Sequence, residues 1–465
     1  MSDATILRRL RCAVIVAAAA LCAAPLAAAA METQEYRLEN GMKVIVKEDH
    51  RAPVVVTMVW YKAGGIDEVN GSTGVAHVLE HMMFKGTKAV PEGEFSRRIA
   101  QAGGRDNAFT SKDYTAYFET LHKDKLSLAL MMEADRMSDL QLTKSEFDKE
   151  IKVVMEERRW RTDDRPESLV YEQLMATVFR GHPYRTPVIG WMNDLEHMTV
   201  DDAQAWYRTW YAPNNATLVV VGDVTGTQVL ALAQQYFGKL KAKPLPPRKP
   251  QEEPPQVGVK RIVVKAPAEL PYLLMAYRVP VLRDPEDDWE PYALDVLMGV
   301  LDGNDAARLN SALVRGARIA TSVGASYDDT ARGPGICFLS GTPSEGRTVA
   351  ELEAALRAEL QKVVREGITQ AELDRVKAQV IASQVFERDS MFFQARQIGE
   401  LETQGYSHKT LDLQIRKLRE VTAVQVQQVA ARYFIDDSLT VAVLEPQPLD
   451  GKKPAPPPKG LRHEG

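Results

Sequence analysis

Cysteine is nearly absent from this chain: three occur in 465 residues, Cys12 and Cys22 close to the start and Cys337 far along. A disulfide-stapled scaffold is excluded, and a chain of this size does not need one. An excess of positive charge is missing too. Lys and Arg total 58 against 63 Asp and Glu, a formal net charge of −5, which removes the electrostatic footprint of a nucleic-acid binder. The one long apolar run is at the N-terminus, where Arg8, Arg9 and Arg11 precede Cys12 to Leu26 and four alanines follow at Ala27 to Ala30. Residues 1–30 are therefore expected to be a signal peptide, cleaved on export to the periplasm. A retained membrane anchor is disfavoured because the run is mostly alanine and is broken by Pro25. A lipoprotein is disfavoured because Leu21 stands before Cys22, where a small residue is required. Cleavage would take three arginines and one aspartate, leaving a charge of −7 and Cys337 as the last thiol.

Histidine is scarce as well, eight in all, and two of them fall in Gly74 to Thr87, GVAHVLEHMMFKGT. The order is HxxEH. On an α-helix His77 and His81 are one turn apart, so both imidazoles leave the same face and can close on one metal ion. Glu80 lies beside His81, within reach of a metal-bound water without being a ligand, as in the inverzincin pattern. Ser72 or Thr73 is expected to cap the helix N-terminus and Gly86 to follow its end. Val78, Leu79, Met82 and Met83 cover most of the remaining surface, so the helix is expected to be buried. Two histidines and a carboxylate in such a place need partners. Zinc satisfies two imidazoles, with a third protein ligand and an open fourth position.

That third ligand is sought on the helix expected over Lys144 to Trp160, KSEFDKEIKVVMEERRW. Seven residues advance a helix by about 700°, so Glu150 and Glu157 share a face about 10.5 Å apart along the axis, while Glu156 points elsewhere. One of the pair is expected to bind metal and the other to orient a ligand histidine. Spacing leaves open which does which. The bland reading of the same stretch is a solvated charged stripe.

GVAHVLEHMMFKGT, AGGRDNAFTSKDYTAYF and KEIKVVMEERR, in that order, resemble the pitrilysin, insulinase and mitochondrial-processing-peptidase family of zinc peptidases over most of the chain. The resemblance implies a Zn2+ ligand set of His77, His81 and Glu157, Glu80 as general base, and Glu150 supporting the site from behind. It also implies that the strand carrying Asn107 and Ala108 lies at a sheet edge and pairs with a peptide substrate, the β-augmentation mode of binding. Read without the family, Gly103 to Phe118 is extended structure or a hairpin, an ordinary antiparallel strand with aromatics in the core.

The chain is too long for one core. A charged, proline-rich stretch at 241–258 reads as a linker between a metal-bearing domain, 31–240, and a second domain, 259–445; residues 446–465 have the composition of a disordered tail. Thr199 to Asp223 and Thr422 to Glu445 each give a helix ending in aromatics, a polar turn and a β-branched strand. The counterpart of the HxxEH helix, PYALDVLMGVL, has no histidine. The expected fold is α+β, two homologous domains facing each other across a cavity. In family members an Arg and a Tyr of the second domain approach the substrate, but here LVRGARIATSVGASY puts Thr321 at the tyrosine position, Arg315 one place off the arginine position, and Tyr327 displaced. A homologous partner subunit, as a heterodimer or homodimer, is therefore expected. The competing reading is a non-catalytic peptide-binding or scaffold subunit; a zinc hydrolase of small molecules fits the strand-like substrate segment less well. The remaining histidines, His182 and His408 among them, are assigned no ligand role.

Overall fold

The protein is described by a computed structural model over residues 33–449. The expected signal peptide and residues 450–465 of the expected tail lie outside the described residues. Six strands, β1 (Gln34–Arg37), β2 (Lys43–Glu48), β3 (Val54–Tyr61), β4 (Arg105–Thr110), β5 (Thr115–His122) and β6 (Ala216–Gly222), form a first sheet in the order β1-β2-β6-β3-β5-β4. Five more, β7 (Lys260–Pro267), β8 (Tyr272–Val279), β9 (Ala320–Tyr327), β10 (Gly335–Pro343) and β11 (Leu439–Gln447), form a second in the order β7-β11-β8-β10-β9. Each sheet has one parallel pair, β2 with β6 and β7 with β11, and is otherwise antiparallel. Strand for strand the second sheet repeats β2 to β6, the signature of a duplicated unit.

The helices used below are α1 (Val75–Met82), α2 (Lys144–Arg158), α3 (Pro166–Val178), α4 (Val200–Trp210), α5 (Glu290–Asp302), α6 (Gln370–Glu387), α7 (Met391–Gln404) and α8 (Ala423–Tyr433). Strand β3 is buried almost throughout, VVVTMVWY, because both sheet faces are covered, as a continuous apolar run requires. One face packs on the unit's own helices, including Val78, Leu79 and Met82 of α1. The other packs on Ala395 and Ile398 of α7, a helix from the second half of the chain. Gly399 permits this approach, since a Cβ there would overlap the ring of Trp60. The exchange is reciprocal. From the first half, α3 buries Val170, Leu174 and Val178 against the second sheet, on Leu274, Ala276 and Ala442. The two units are thus tied together by a swapped pair of helices, a connection that local periodicity does not reveal.

Residues 241–258 carry no helix or strand, yet they are not loose. Glu253 accepts from the backbone N–H groups of Arg180 (2.8 Å), Gly181 (2.9 Å) and His182 (3.0 Å), and the Gln256 amide donates to the Leu439 carbonyl (2.6 Å). The expected start of the tail needs correction. Pro446 and Gln447 belong to β11 and pair in parallel with Ala266 and Pro267. Pro446 is tolerated because β8 has already ended at that level, so no neighbour there needs its missing N–H. Among the described residues no helix is long and apolar enough to cross a membrane.

Candidate metal centre and substrate chamber

Helix α1 does not start as expected. Its N-cap is Gly74, in the left-handed region at φ 86°, and no side chain at the cap position takes part. A Cβ on Gly74 would sit 2.5 Å from the Ile189 carbonyl oxygen, so glycine is required for conformation and for space. The orphan N–H groups of the first turn are met from outside: Glu68 accepts from Gly74 N–H (2.8 Å) and Ala76 N–H (2.9 Å). Asp194 fastens the preceding turn, accepting from Gly71 N–H (3.1 Å), Thr73 N–H (3.2 Å) and the Thr73 hydroxyl (2.6 Å). Burial pushes the Glu68 carboxyl up to about 7, against the pull of its two backbone donors. Gly86 does not follow the helix end directly either; α1 closes at Met83. Replacing Glu68 by Gln puts an amide N–H where a backbone N–H needs an acceptor, and is expected to destabilise the fold by roughly 1–3 kcal/mol. Urea unfolding of the variant checks this, and an unchanged midpoint would show that the clamp carries no stability.

On α1, His77 and His81 face one way, both only 6 % exposed. Helix α2, capped by the Thr143 hydroxyl at the Glu146 N–H, runs against α1 and brings Glu157, fully buried, opposite them. Glu157 Oε2 lies 3.2 Å from His81 Nε2 and 3.8 Å from His77 Nε2, and the three ligand atoms gather within 4.8 Å of one another. Two turns back along α2, Glu150 Oε1 is 2.9 Å from His81 Nδ1, and its other oxygen is 2.6 Å from Lys85 Nζ. After Arg158 the chain widens into a π turn, Arg159–Asp163, and Arg161, four residues past Glu157, places its Nε 3.1 Å from Glu157 Oε1.

The electrostatics follow from these contacts. Burial pushes the Glu157 and Glu150 carboxyls up, but hydrogen bonds and nearby cations outweigh it: His81 and His77 hold Glu157 at about 2, and His81 and Lys85 hold Glu150 at about 2. Burial lowers His81, yet Glu150 and Glu157 outweigh that and bring it to about 9. Two buried imidazoles and a carboxylate from two rigid helices are a donor set that fits zinc, and Glu150 on Nδ1 presents Nε2 toward Glu157.

Glu80, 1 % exposed, sits next to this group and accepts from the Thr110 hydroxyl of β4. Burial pushes its carboxyl up to about 7, against His81 and Thr110. His77 and Glu80 open into a chamber of about 940 Å³ whose walls include Asn107, Ala108 and Thr110 of β4 and Phe392 and Arg396 of α7. Strand β4 is the outermost of its sheet, and Asn107 and Ala108 stand opposite Phe118 and Tyr117 of β5. Arg315, Thr321 and Tyr327 are not among the chamber walls. Arg315 donates to the Ser311 hydroxyl (2.7 Å), Thr321 to the Thr342 carbonyl (3.3 Å), and Tyr327 to the Pro280 carbonyl (2.6 Å). The second half reaches the chamber through α7 instead.

Glu68, Asp194, Lys85, Arg161 and Thr110 join the site without having been expected from the sequence. For Thr110 a signal existed, because alternation puts it on the face of β4 that Ala108 occupies. One histidine needs revision: His408 Nδ1 is 3.0 Å from Glu402 and 3.8 Å from Glu35, a second gathering of ligand atoms within 4.8 Å. Lys43, 2.6 Å from Glu402 and 3.4 Å from Glu35, already occupies it with a cation of the chain's own.

Comparison with known proteins places this architecture. The family profile described as Insulinase (Peptidase family M16) matches residues 43–190, and that of the Peptidase M16 inactive domain matches residues 197–380. The zinc protease PqqE of Helicobacter pylori is 32 % identical over 432 residues, covering 90 % of this chain and 95 % of that one. The chain belongs to peptidase family M16. A crystal structure of a protease from Helicobacter pylori superposes with a TM-score of 0.84 at 30 % identity, over 89 % of this chain and all of that one. Another M16 relative, named as a probable mitochondrial-processing peptidase subunit beta of Schizosaccharomyces pombe, is 24 % identical over 89 % of this chain and 91 % of that one. Several relatives, among them PqqE of Helicobacter pylori and YmxG of Bacillus subtilis, are named zinc proteases, and the HxxEH helix lies within the segment matched to the insulinase profile.

Proposed function

We propose that this chain is a zinc-dependent endopeptidase whose substrate is a peptide or unfolded polypeptide laid along β4. The observation that carries this is the gathering of His77, His81 and Glu157 within 4.8 Å, with Glu80 beside them at the chamber wall. A zinc ion held by those three would supply Lewis acidity, bringing the pKa of water from about 15.7 toward about 7 and polarising a peptide carbonyl. Glu80 handles the protons: its carboxylate takes one from the attacking water and returns it to the leaving amine. In the metal-free chain burial raises its proton affinity, and a cation held beside it would favour the carboxylate form that takes the proton. The Thr110 hydroxyl, donating to Oε2, fixes the carboxylate plane. Glu150 acts through His81, holding the ring by Nδ1 so that Nε2 faces Glu157. Strand β4, outermost in its sheet and lining the chamber, offers its backbone to an extended chain, so side-chain preference should be loose. Digestion of an unstructured peptide by the zinc-loaded chain, abolished by a chelator and restored by zinc, tests this reading; hydrolysis indifferent to the chelator would contradict it.

The chain works with a homologous subunit in this proposal. Support comes from Arg315, Thr321 and Tyr327, none of which lines the chamber, and from the relative named as one subunit of a peptidase. Adding a co-encoded M16 homologue should raise kcat/KM for an unstructured peptide at least about tenfold, which is 1.4 kcal/mol of transition-state stabilisation. Equal rates with and without the homologue, across the concentration range where the two associate, would contradict it.

A further inference from the structure

Where α1 lies against β4, α2 and α4, its counterpart α5 lies against β9, α6 and α8, and those four elements carry no histidine. Substrate preference is therefore sought on the walls of the chamber that meets the metal centre. The chain as a whole is acidic, at −5, yet these walls are not. Three cations line the chamber from three separate segments, Lys112 in the β4–β5 turn, Arg185, and Arg396 on α7, and none of them forms an ion pair with a described residue. Arg185 donates to the Arg180 carbonyl (3.0 Å) and the Asn70 side-chain oxygen (3.2 Å), and Lys112 to the Thr186 carbonyl, all neutral acceptors. The acids that act on Lys112 from nearby are engaged elsewhere: Glu68 with the N–H groups of Gly74 and Ala76, Asp113 with the Tyr184 hydroxyl (2.5 Å) and the Arg332 N–H (2.9 Å), and Glu172 with Arg158 (2.7 Å). Outside the metal centre one wall carboxylate lacks a cation, Glu167 of α3. Three cations against one carboxylate leave the walls with an excess of positive charge, and a concave site focuses that potential.

The place of Arg396 follows from strand alternation. Ala108 and Thr110 share one face of β4, and Asn107 and Phe109 share the other. Phe109 packs edge-on against Trp60, with ring centroids 5.3 Å apart, and the Arg396 guanidinium lies 5.8 Å from its ring centroid. One turn earlier on α7, Phe392 meets Phe118 of β5 at 4.9 Å. Phe109, Phe118 and Phe392, all half-buried, thus form an aromatic wall with a guanidinium at its rim. That guanidinium stacks on a ring but hydrogen-bonds to no described residue, so its planar fork of donors stays open to a carboxylate. In a strand added beside β4, the residue opposite Phe109 puts its side chain on the same face, and so does every second residue along it. A glutamate there lays its apolar stem on the rings and its carboxylate at Arg396, whereas a lysine meets like charge.

We infer that the chamber selects acidic polypeptides, and that Arg396 is the residue that reads a carboxylate side chain of the bound strand. The inference rests on the proposal that a polypeptide lies along β4, and it names the class of chain that does so. Lys112 and Arg185 add to the attraction from the opposite end of the chamber without contacting the aromatic wall. The attraction is electrostatic, so it weakens as salt screens it.

Unstructured peptides of one sequence, differing only in whether Glu, Gln or Lys stands at every second position and made in both phases of alternation, are digested by the zinc-loaded full chain. In one phase, wild type should cleave the Glu peptide with a kcat/KM at least about threefold above its Gln twin and further above its Lys twin, an advantage that shrinks from low to physiological ionic strength. Arg396→Gln should remove most of the Glu-over-Gln ratio, and Arg396→Glu should turn the preference toward Lys; the cycle over side chain and peptide charge isolates the pair. Arg396 is exposed, so these variants should fold like wild type. Equal cleavage of the three peptides by wild type, or a Glu-over-Gln ratio unmoved in both variants, would overturn the inference and leave the peptidase reading standing. If no peptide is cleaved, the peptidase reading falls on its own, and fluorescence anisotropy with the same peptides decides the inference: tighter binding of the Glu peptide, lost in Arg396→Gln, supports it, and equal binding of the Glu and Lys peptides overturns it.

Discussion

Replacing Glu80 by Gln is expected to lower kcat for peptide hydrolysis by about 10²–10⁴-fold, the usual contribution of a positioned general base, while the protein keeps its metal. The amide retains an acceptor for the Thr110 hydroxyl and is nearly isosteric, so neither the fold nor the helix that carries His77 and His81 should move. What it cannot do is take a proton from water. The pH profile of wild type carries the same information. Glu80 must be ionised to act, so kcat/KM should rise with pH through its pKa. The value of about 7 belongs to the protein without a divalent cation. A cation bound nearby stabilises the carboxylate and lowers that value, so the acid limb should lie below pH 7 in the zinc-loaded enzyme. Metal retained with activity lost identifies Glu80 as a group in the reaction. Metal lost together with activity would make it a structural residue instead.

The second large effect is expected from His81→Ala. His81 stands between two carboxylates, Glu150 on Nδ1 and Glu157 on the Nε2 side, and its removal takes away a ligand and the anchor of Glu150 together. The variant should lose zinc and activity. In wild type, zinc at about 100 times its Kd should add roughly 2.7 kcal/mol of stability, and in His81→Ala essentially none. Thermal unfolding with zinc and with chelator measures both. Protons compete for the same nitrogen. In the metal-free protein His81 is held at about 9, so below pH 9 each bound ion displaces a proton and zinc affinity should rise about tenfold per pH unit up to that value. A zinc-dependent Tm in His81→Ala equal to that of wild type would exclude His81 as a ligand.

What was legible in the sequence is what local periodicity can carry. His77 and His81 are one turn apart, Glu150 and Glu157 two turns apart, and both spacings survive in the structure as two aligned faces on α1 and α2. The hairpin β4–β5 and the buried runs of β3 and β6 were readable for the same reason. The supports of the site were not readable, because they come from far along the chain or from non-repetitive backbone. Asp194 reaches the Thr73 hydroxyl across 121 residues, and Glu68 caps a helix from outside it, where a search for a polar N-cap finds Ser72 and Thr73 instead. Arg161, four residues past Glu157, was within reach of the same spacing argument, and its contact with Glu157 is the ordinary i,i+4 pairing of a helix. The exchange of α3 and α7 between the sheets is equally invisible, as both are amphipathic helices that would cover either sheet. Composition misplaced the start of the C-terminal tail because Pro446 reads as a breaker, although a parallel strand end accommodates it.

In the proposed mechanism Glu157, on the buried face of α2, completes a metal site with His77 and His81. Zinc content per chain, measured after gel filtration for wild type, Glu157→Gln and Glu156→Gln, tests it most directly, because Glu156 is the exposed neighbour on the same helix. One zinc is expected in wild type and in Glu156→Gln, with a loss of at least about tenfold in affinity in a folded Glu157→Gln. One zinc retained by Glu157→Gln with undiminished affinity would contradict it.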